Sequence, residues 1–347
     1  MSGRAPRILL YGVGKYGCEF ARLARLRGWP IVAAVNRAGD KIGRSLAELA
    51  GIEDRGGVVV QDCDTLDWST MDADIGVVFT TDILRNNWPA YERLLTAGMD
   101  VVCHGVQSYY PWRYDPDTSA RIDGLAKAQG QTFTGTGIWD MSRIWAGILL
   151  AGPCVSIIAM RHESVTQINY PSPRLVPTYG LDLTPEEYLQ RFGSGGENAD
   201  EYRHAGKYQS IAEQVLSALG YHVLGGTERR EALTAAEPVF CKALGRDIEP
   251  GRVVGWAYRS RIETREGVRA DASMEMRLLR DDQPETMVWE IDGVPGNRLA
   301  IERRDSITAS ASSVLNRIPD VIAARPGIQL LSRLGPMRPA LGAGATA

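Results

Sequence analysis

Short apolar runs punctuate the first part of the chain: Ile8–Tyr11, Ile31–Val35, Val58–Val60, Ile75–Phe79 and Val101–Cys103, with a sixth strand candidate at Thr132–Thr134. Runs that stay apolar at consecutive positions and favour Val and Ile suit strands buried on both faces of a parallel sheet. Helical segments separate them: Phe20–Leu26 is amphipathic, Trp88–Ala97 ends at Gly98, and a third lies near Ser119–Gln129. This alternation predicts an α/β architecture built on a doubly wound parallel sheet.

From about Trp139 the pattern changes. Residues 141–151 read as a helix and Val155–Thr166 as a long strand, which leads into the irregular stretch Asn169–Pro173. Thr184-Pro185-Glu186-Glu187 is a capping box with proline at the first helical position, so a helix starts there and stops near Gly193–Gly196. A further helix places Ile211, Val215, Leu216 and Leu219 on one face and ends at Gly220. Residues 252–303 read as four strands of an antiparallel meander, with Val254, Trp256 and Tyr258 alternating along one of them. Its apolar face requires a cover, either helices or a second subunit, and both stay open. Ile307–Ala324 reads as a helix broken at Pro319, and the Pro-, Gly- and Ala-rich tail after Leu334 as disordered.

The strongest local signal is Gly12-Val13-Gly14-Lys15-Tyr16-Gly17, placed between the first strand and the first helix. In that context Gly12 makes the tight turn, Gly14 admits a pyrophosphate to the backbone, and Gly17 lets the helix pack on the strand. The N–H groups of Lys15 and Tyr16 at the helix start then face the phosphates. Roughly 20 residues on, where a carboxylate would hold an unphosphorylated ribose, stand Asn36 and Arg37. With no acid to repel a 2′-phosphate and Arg37 able to fork onto it, NADP is favoured as cofactor; NAD, or both, is the alternative. Thr80 and Thr81, after the fourth strand, and His104, after the fifth, fall on the sheet edge where such ligands bind.

Composition narrows the picture little further. The chain has 347 residues, enough for two domains, and a net charge of -3, which offers no field to attract nucleic acid or an anionic membrane. Five scattered cysteines without a C-x-x-C pair predict reduced thiols and a cytoplasmic protein. The four histidines show no ligand spacing, so no metal site is predicted. The uncharged run 144–160 is interrupted by Pro153 and reads as buried helix and strand rather than a membrane span.

Several stretches together resemble the dihydrodipicolinate-reductase-like superfamily. They are the glycine turn, Asp40–Arg44 with Leu49-Ala50-Gly51, Leu94–Val102, Tyr110-Pro111-Trp112, Gly135-Thr136-Gly137, His204-Ala205-Gly206 and Asn316-Arg317-Ile318-Pro319. Within it the chain is most similar to 2,4-diaminopentanoate dehydrogenases and related amine dehydrogenases. The resemblance implies a Rossmann domain over 1–140, rejoined by C-terminal helices at 306–335. It also implies a substrate and dimerisation domain over 141–305 with an open mixed sheet, and a homodimer; the tail is 336–347. True dihydrodipicolinate reductases differ, because Arg161-His162-Glu163 does not supply their paired histidines, and Cys103-His104-Gly105 lacks the lysine of sugar dehydrogenases.

Two departures bear on chemistry. The amine dehydrogenases carry an acidic residue just before the Tyr-Pro-Trp triplet to hold an ammonium or iminium group, whereas this chain has Val106-Gln107-Ser108-Tyr109. A neutral Gln107 orients by hydrogen bonds but balances no buried cation. The Gly-Thr-Gly stretch continues as Ile138-Trp139-Asp140-Met141, so Asp140 is a candidate for the missing charge. The expected activity is NADPH-dependent reduction of a C=N bond in a small to medium substrate. A carbonyl reductase, or a nucleotide-binding redox sensor without turnover, are the alternatives. His204 is the first candidate for a proton donor, followed by Tyr170 and Tyr208, with Gln107 as an orienting group.

Overall fold

A computed structural model describes residues 4–37, 39–54, 56–193 and 208–339. Its contacts divide the chain into two units, Met1–Met141 with Asp305–Ala347, and Ser142–Arg304.

The first unit contains β1 (Ile8–Tyr11), β2 (Ile31–Asn36), β3 (Val60–Asp62), β4 (Ile75–Val78), β5 (Asp100–Cys103) and β6 (Thr132–Gly135). With a last short strand, Gly327–Ile328, they form a sheet in the order Gly327–Ile328, β6, β5, β4, β1, β2, β3. Every pairing is parallel. The order reverses between β1 and β4, which opens the crevice where this architecture binds ligands. The continuous apolar runs follow from burial on both faces: Ile8 and Leu10 enter one core while Leu9 and Tyr11 enter the other. Helices Lys15–Arg27 and Ser306–Ile322 cover the first face, Trp88–Thr96 and Pro116–Gln129 the second.

Two expectations for this unit change. The third strand begins at Val60 rather than Val58, because Val58 O and Val60 N bond to Leu46 and Arg44. The helix Ser306–Ile322 runs through Pro319 without a break. Proline there removes one backbone donor, and the buried stripe Val314, Ile318 and Val321 holds the last turn in place. Of the tail, residues 340–347 lie outside the described residues, while Met337 N donates to Met141 Sδ at 3.2 Å.

The second unit contains β7 (Ser156–Gln167), β8 (Val223–Thr234), β9 (Val239–Cys241), β10 (Arg246–Ile248), β11 (Val253–Thr264), β12 (Arg269–Arg277), β13 (Glu285–Val294) and β14 (Asn297–Arg303). Six of them form a sheet in the order β14, β13, β7, β12, β11, β8, and β9 and β10 make a separate hairpin. The four expected C-terminal strands are present, but they are not a simple meander. β7 lies between β12 and β13, parallel to the first and antiparallel to the second. Local turn signals at 280–282 mark where the chain reverses and say nothing of which strand fills the gap. β8 escaped the sequence pattern because it is an edge strand, largely solvent-facing, with Gly225, Gly226 and four consecutive charged residues.

Trp256, Tyr258, Met274, Met160 and Trp289 line one face of this sheet. Helices Ala146–Ala151, Pro185–Phe192 and Gln209–Ala218, all from the same unit, pack against its strands. The apolar face therefore has its cover in the same chain. The opposite face is laced with ion pairs, among them Arg161–Glu290 at 3.0 Å and Arg261–Asp271 at 2.8 Å. No described helix is long and apolar enough to cross a membrane.

Candidate functional site

The glycine turn has the geometry its spacing predicts. Gly12 has φ +103°, and a Cβ there would lie 2.4 Å from Phe79 O. A Cβ on Gly17 would lie 2.1 Å from Gly12 O, so the helix can approach the turn only with glycine at that position. Around Gly14, by contrast, nothing lies within 4 Å of a Cβ position. Gly14 is the N-cap of Lys15–Arg27 and supplies no side-chain cap, so the first N–H groups of that helix face open space beside it. An open cradle bounded by N–H donors fits a pyrophosphate.

β2 braces this turn from one side. Asn36 Oδ1 accepts from Val13 N at 3.3 Å, and Lys41 Nζ donates to Val13 O at 2.6 Å. Arg37 next to it is exposed and makes no ion pair among the described residues. Its charge helps hold the Asp64 carboxyl below the usual range, after the larger effect of the hydrogen bond from Arg93. Asp62, Cys63 and Asp64 bring three possible ligand atoms within 4.8 Å of one another. Asp64 is ion-paired to Arg93, and Asp62 accepts from Asp64 N at 2.9 Å.

A cavity of about 340 Å³ opens from the turn, and it gathers Lys15, Tyr16, Thr80, Thr81 and His104 from three separate segments. Asp82 and Gly105 line it too. Gly105 is needed because a Cβ there would lie 2.5 Å from Thr81 O, where the loops after β4 and β5 touch. The His104 ring stands 4.6 Å from Tyr16 and 5.3 Å from Phe79. Its Nε2 shares a 2.6 Å hydrogen bond with Ser310 Oγ. Burial pushes the imidazole down to about 4, so it is neutral at ordinary pH. Ser310 comes from the returning C-terminal helix, and no local sequence signal marked it.

The candidate chemistry is distributed over both units. Gln107 is buried in the first: its Oε1 accepts from Leu84 N at 2.8 Å and its backbone N donates to Asp82 O at 3.1 Å. It thereby ties the loops after β4 and β5 together. Asp140 is not a free charge, which corrects the expectation. It is 0% exposed and holds Arg317 through both oxygens, at 2.7 and 2.9 Å, while accepting from Thr136 at 2.8 Å. Fully neutralised there, it offers nothing to a substrate cation.

Tyr170 and Tyr208 belong to the second unit, and His204 lies outside the described residues. Tyr208 is buried, with its ring 4.9 Å from Tyr258 and its hydroxyl 3.9 Å from Met276 Sδ. Tyr170 is half-buried in the turn after β7, where its N donates to Ile168 O at 2.9 Å. The second unit also holds a group that the sequence did not reveal, Arg230 among aromatic side chains.

A glycine turn on a doubly wound sheet, opening at the switch in strand order, is the geometry of the dinucleotide-binding class. No family model matches the chain, but comparison with known proteins agrees with that class. The chain is 24% identical to a 2,4-diaminopentanoate dehydrogenase of Acetoanaerobium sticklandii, over 97% of this chain and 95% of that protein. It superposes on an amine dehydrogenase from Mycobacterium smegmatis with a TM-score of 0.82 and 28% identity, covering 96% of this chain and 97% of the other. A protein of gentamicin A biosynthesis, solved with NAD, shares the fold at a TM-score of 0.53 and 16% identity, over 86% and 72% of the two chains. The chain is thus an oxidoreductase of the type that uses a nicotinamide dinucleotide. The particular likeness is to the 2,4-diaminopentanoate and amine dehydrogenases, as the motifs implied.

Proposed function

We propose that the chain is an NADPH-dependent oxidoreductase that reduces the C=N bond of an imine or iminium in a small to medium substrate. The observation that carries this reading is the end of β2. Asn36 is engaged with Val13, Arg37 is exposed, and neither of these two residues at the end of β2 is an acid. Lys15 and Tyr16 would hold the pyrophosphate, Asn36 and Arg37 the phosphorylated ribose, and Thr80, Thr81 and His104 the nicotinamide end. Bound there, the group supplies a hydride.

The likeness to amine dehydrogenases supports a C=N electrophile, and the neutral Gln107 sets a limit on its charge. With its carboxamide oxygen on Leu84 N, Gln107 orients rather than neutralises. An iminium needs no proton donor for the transfer itself; a neutral imine or a ketone does. His204 is our assignment for that donor, with Tyr170 and Tyr208 as the next candidates. The same reading includes a cytoplasmic homodimer, which light scattering of the purified chain tests.

The decisive assay follows NADPH absorbance with a panel of aldehydes, ketones and cyclic imines, with and without ammonia. Carbonyl turnover that requires ammonia is expected. Turnover of a preformed cyclic imine without ammonia supports C=N reduction, turnover of a ketone or aldehyde without ammonia favours a carbonyl reductase, and none at all favours a sensor.

A further inference from the structure

One cation is bound to the glycine turn itself. Lys41 Nζ donates to Val13 O at 2.6 Å, while Asn36 Oδ1 accepts from Val13 N at 3.3 Å. The side chain that ends β2 and the ammonium from the following loop thus engage the two polar backbone atoms of one residue. In a doubly wound sheet the end of β2 is where the adenosine ribose lies. The ammonium therefore stands at the ribose end of the cradle, and Lys41 is absent from the lining of the cavity at Tyr16 and His104. Its charge also reaches the start of the helix Lys15–Arg27, where it opposes the rise that burial gives the Cys18 thiol.

The loop that carries Lys41 is fixed by backbone hydrogen bonds. Gly43 N donates to Val60 O at 2.9 Å, Val60 N to Arg44 O at 2.9 Å and Arg44 N to Lys41 O at 3.2 Å, so β3 holds the loop in place. An ammonium has three donors, and Val13 O takes one. Among the described residues Lys41 makes no ion pair and no other hydrogen bond. The neighbouring charges are otherwise engaged: Arg44 pairs with Glu48, Asp40 is exposed and acts on Arg44, and Asp64 pairs with Arg93. Arg37 and Lys41 differ in setting. Arg37 is exposed, where water and salt screen an ion pair, whereas Lys41 is half-buried and its charge is screened less. Two spare donors on a positioned, half-buried cation beside the ribose fit a phosphate monoester.

We propose that Lys41 is the principal 2′-phosphate ligand of this chain and sets its preference for NADPH over NADH, with Arg37 as the outer partner. This rests on the NADPH reading above and adds to it the residue that discriminates. The phosphate is a second acceptor for an ammonium already held by Val13 O, so the bond that braces the turn survives binding.

The test is calorimetric titration of NADPH and NADH, and of adenosine 2′,5′-bisphosphate and adenosine 5′-monophosphate, into the full chain. Lys41→Gln keeps a donor for Val13 O and loses the charge. It should lower affinity for NADPH and for the bisphosphate roughly 10- to 100-fold and leave NADH and the monophosphate within about twofold. Lys41→Met, which removes the brace as well, should weaken all four, the two 2′-phosphorylated ligands most. Lys41→Arg should keep most of the preference. Arg44→Gln, whose cation is already paired to Glu48, should leave it unchanged. If NADPH and NADH lose affinity together in Lys41→Gln, the ammonium only braces the turn and the proposal falls. It falls equally if that variant keeps the wild-type ratio of the two. Wild-type chain that binds NADH as tightly as NADPH would instead overturn the NADPH reading itself.

Discussion

Gly14→Ala separates a ligand role from a packing role at the turn. In the free protein a Cβ at residue 14 meets nothing within 4 Å, and the backbone there has φ -89°, which alanine adopts. Alanine is a poorer N-cap than glycine, but it lowers the entropy of the unfolded chain, and the two effects, each below about 1 kcal/mol, oppose one another. The melting temperature should therefore move by no more than about 3 °C. A dinucleotide drawn onto the Lys15 and Tyr16 N–H groups would meet the new methyl. Losing one charge-assisted hydrogen bond costs about 1.5–3 kcal/mol, so NADPH affinity should fall roughly 10- to 150-fold. The assay is calorimetric titration of NADPH alongside a thermal melt. Gly17→Ala is the control, since its Cβ would sit 2.1 Å from Gly12 O and should lower both stability and affinity. If Gly14→Ala bound NADPH as wild type does, the phosphate cradle would not be at this turn.

Three further outcomes are expected. Arg37→Asp should shift the NADPH-to-NADH affinity ratio toward NADH on the order of 100-fold, because it replaces a phosphate fork by a like charge; an unchanged ratio in paired titrations would refute the cofactor assignment. Arg317→Met should destabilise the chain by about 3–5 kcal/mol, since it strands the buried Asp140 carboxylate. Adding Asp140→Asn should recover part of that loss in denaturant melts, and strictly additive losses would contradict the pairing. Stability should fall between about pH 6.5 and 4, because burial pushes His162 down to about 3 and His104 to about 4, and the unfolded chain takes up protons that the folded one refuses. The Asp100 carboxyl, pushed up to about 6 by burial, and the Asp140 carboxyl, also raised by burial, work the other way, so the slope is shallower than the two imidazoles alone would give. His162→Gln should flatten the slope of urea midpoint against pH, and an unaltered slope would exclude His162 as its source.

Much of this molecule is legible in one dimension. The parallel sheet shows in the apolar runs because both faces of each strand are buried, a condition that leaves no polar position to disguise the strand. The glycine turn shows because Gly12 is demanded by its own backbone, at φ +103°, and Gly17 by a contact only five residues away, at Gly12 O. The capping box at Thr184 was equally readable, since its two hydrogen bonds join residues three apart. Local sterics and local hydrogen bonds leave local marks.

What only the tertiary structure decided is long-range by nature. The placement of β7 between β12 and β13 depends on pairings such as Trp289 with His162, over a hundred residues apart. Edge strand β8 has its register from β11, not from any alternation of its own. Asp140 reads as a spare carboxylate until Arg317 arrives from the C-terminal helix, and that same helix brings Ser310 to His104. The aromatic surround of Arg230 likewise draws on residues from 179 to 258. Charge state, tautomer and access are properties of neighbours in space, and a chain does not display its neighbours until it has folded.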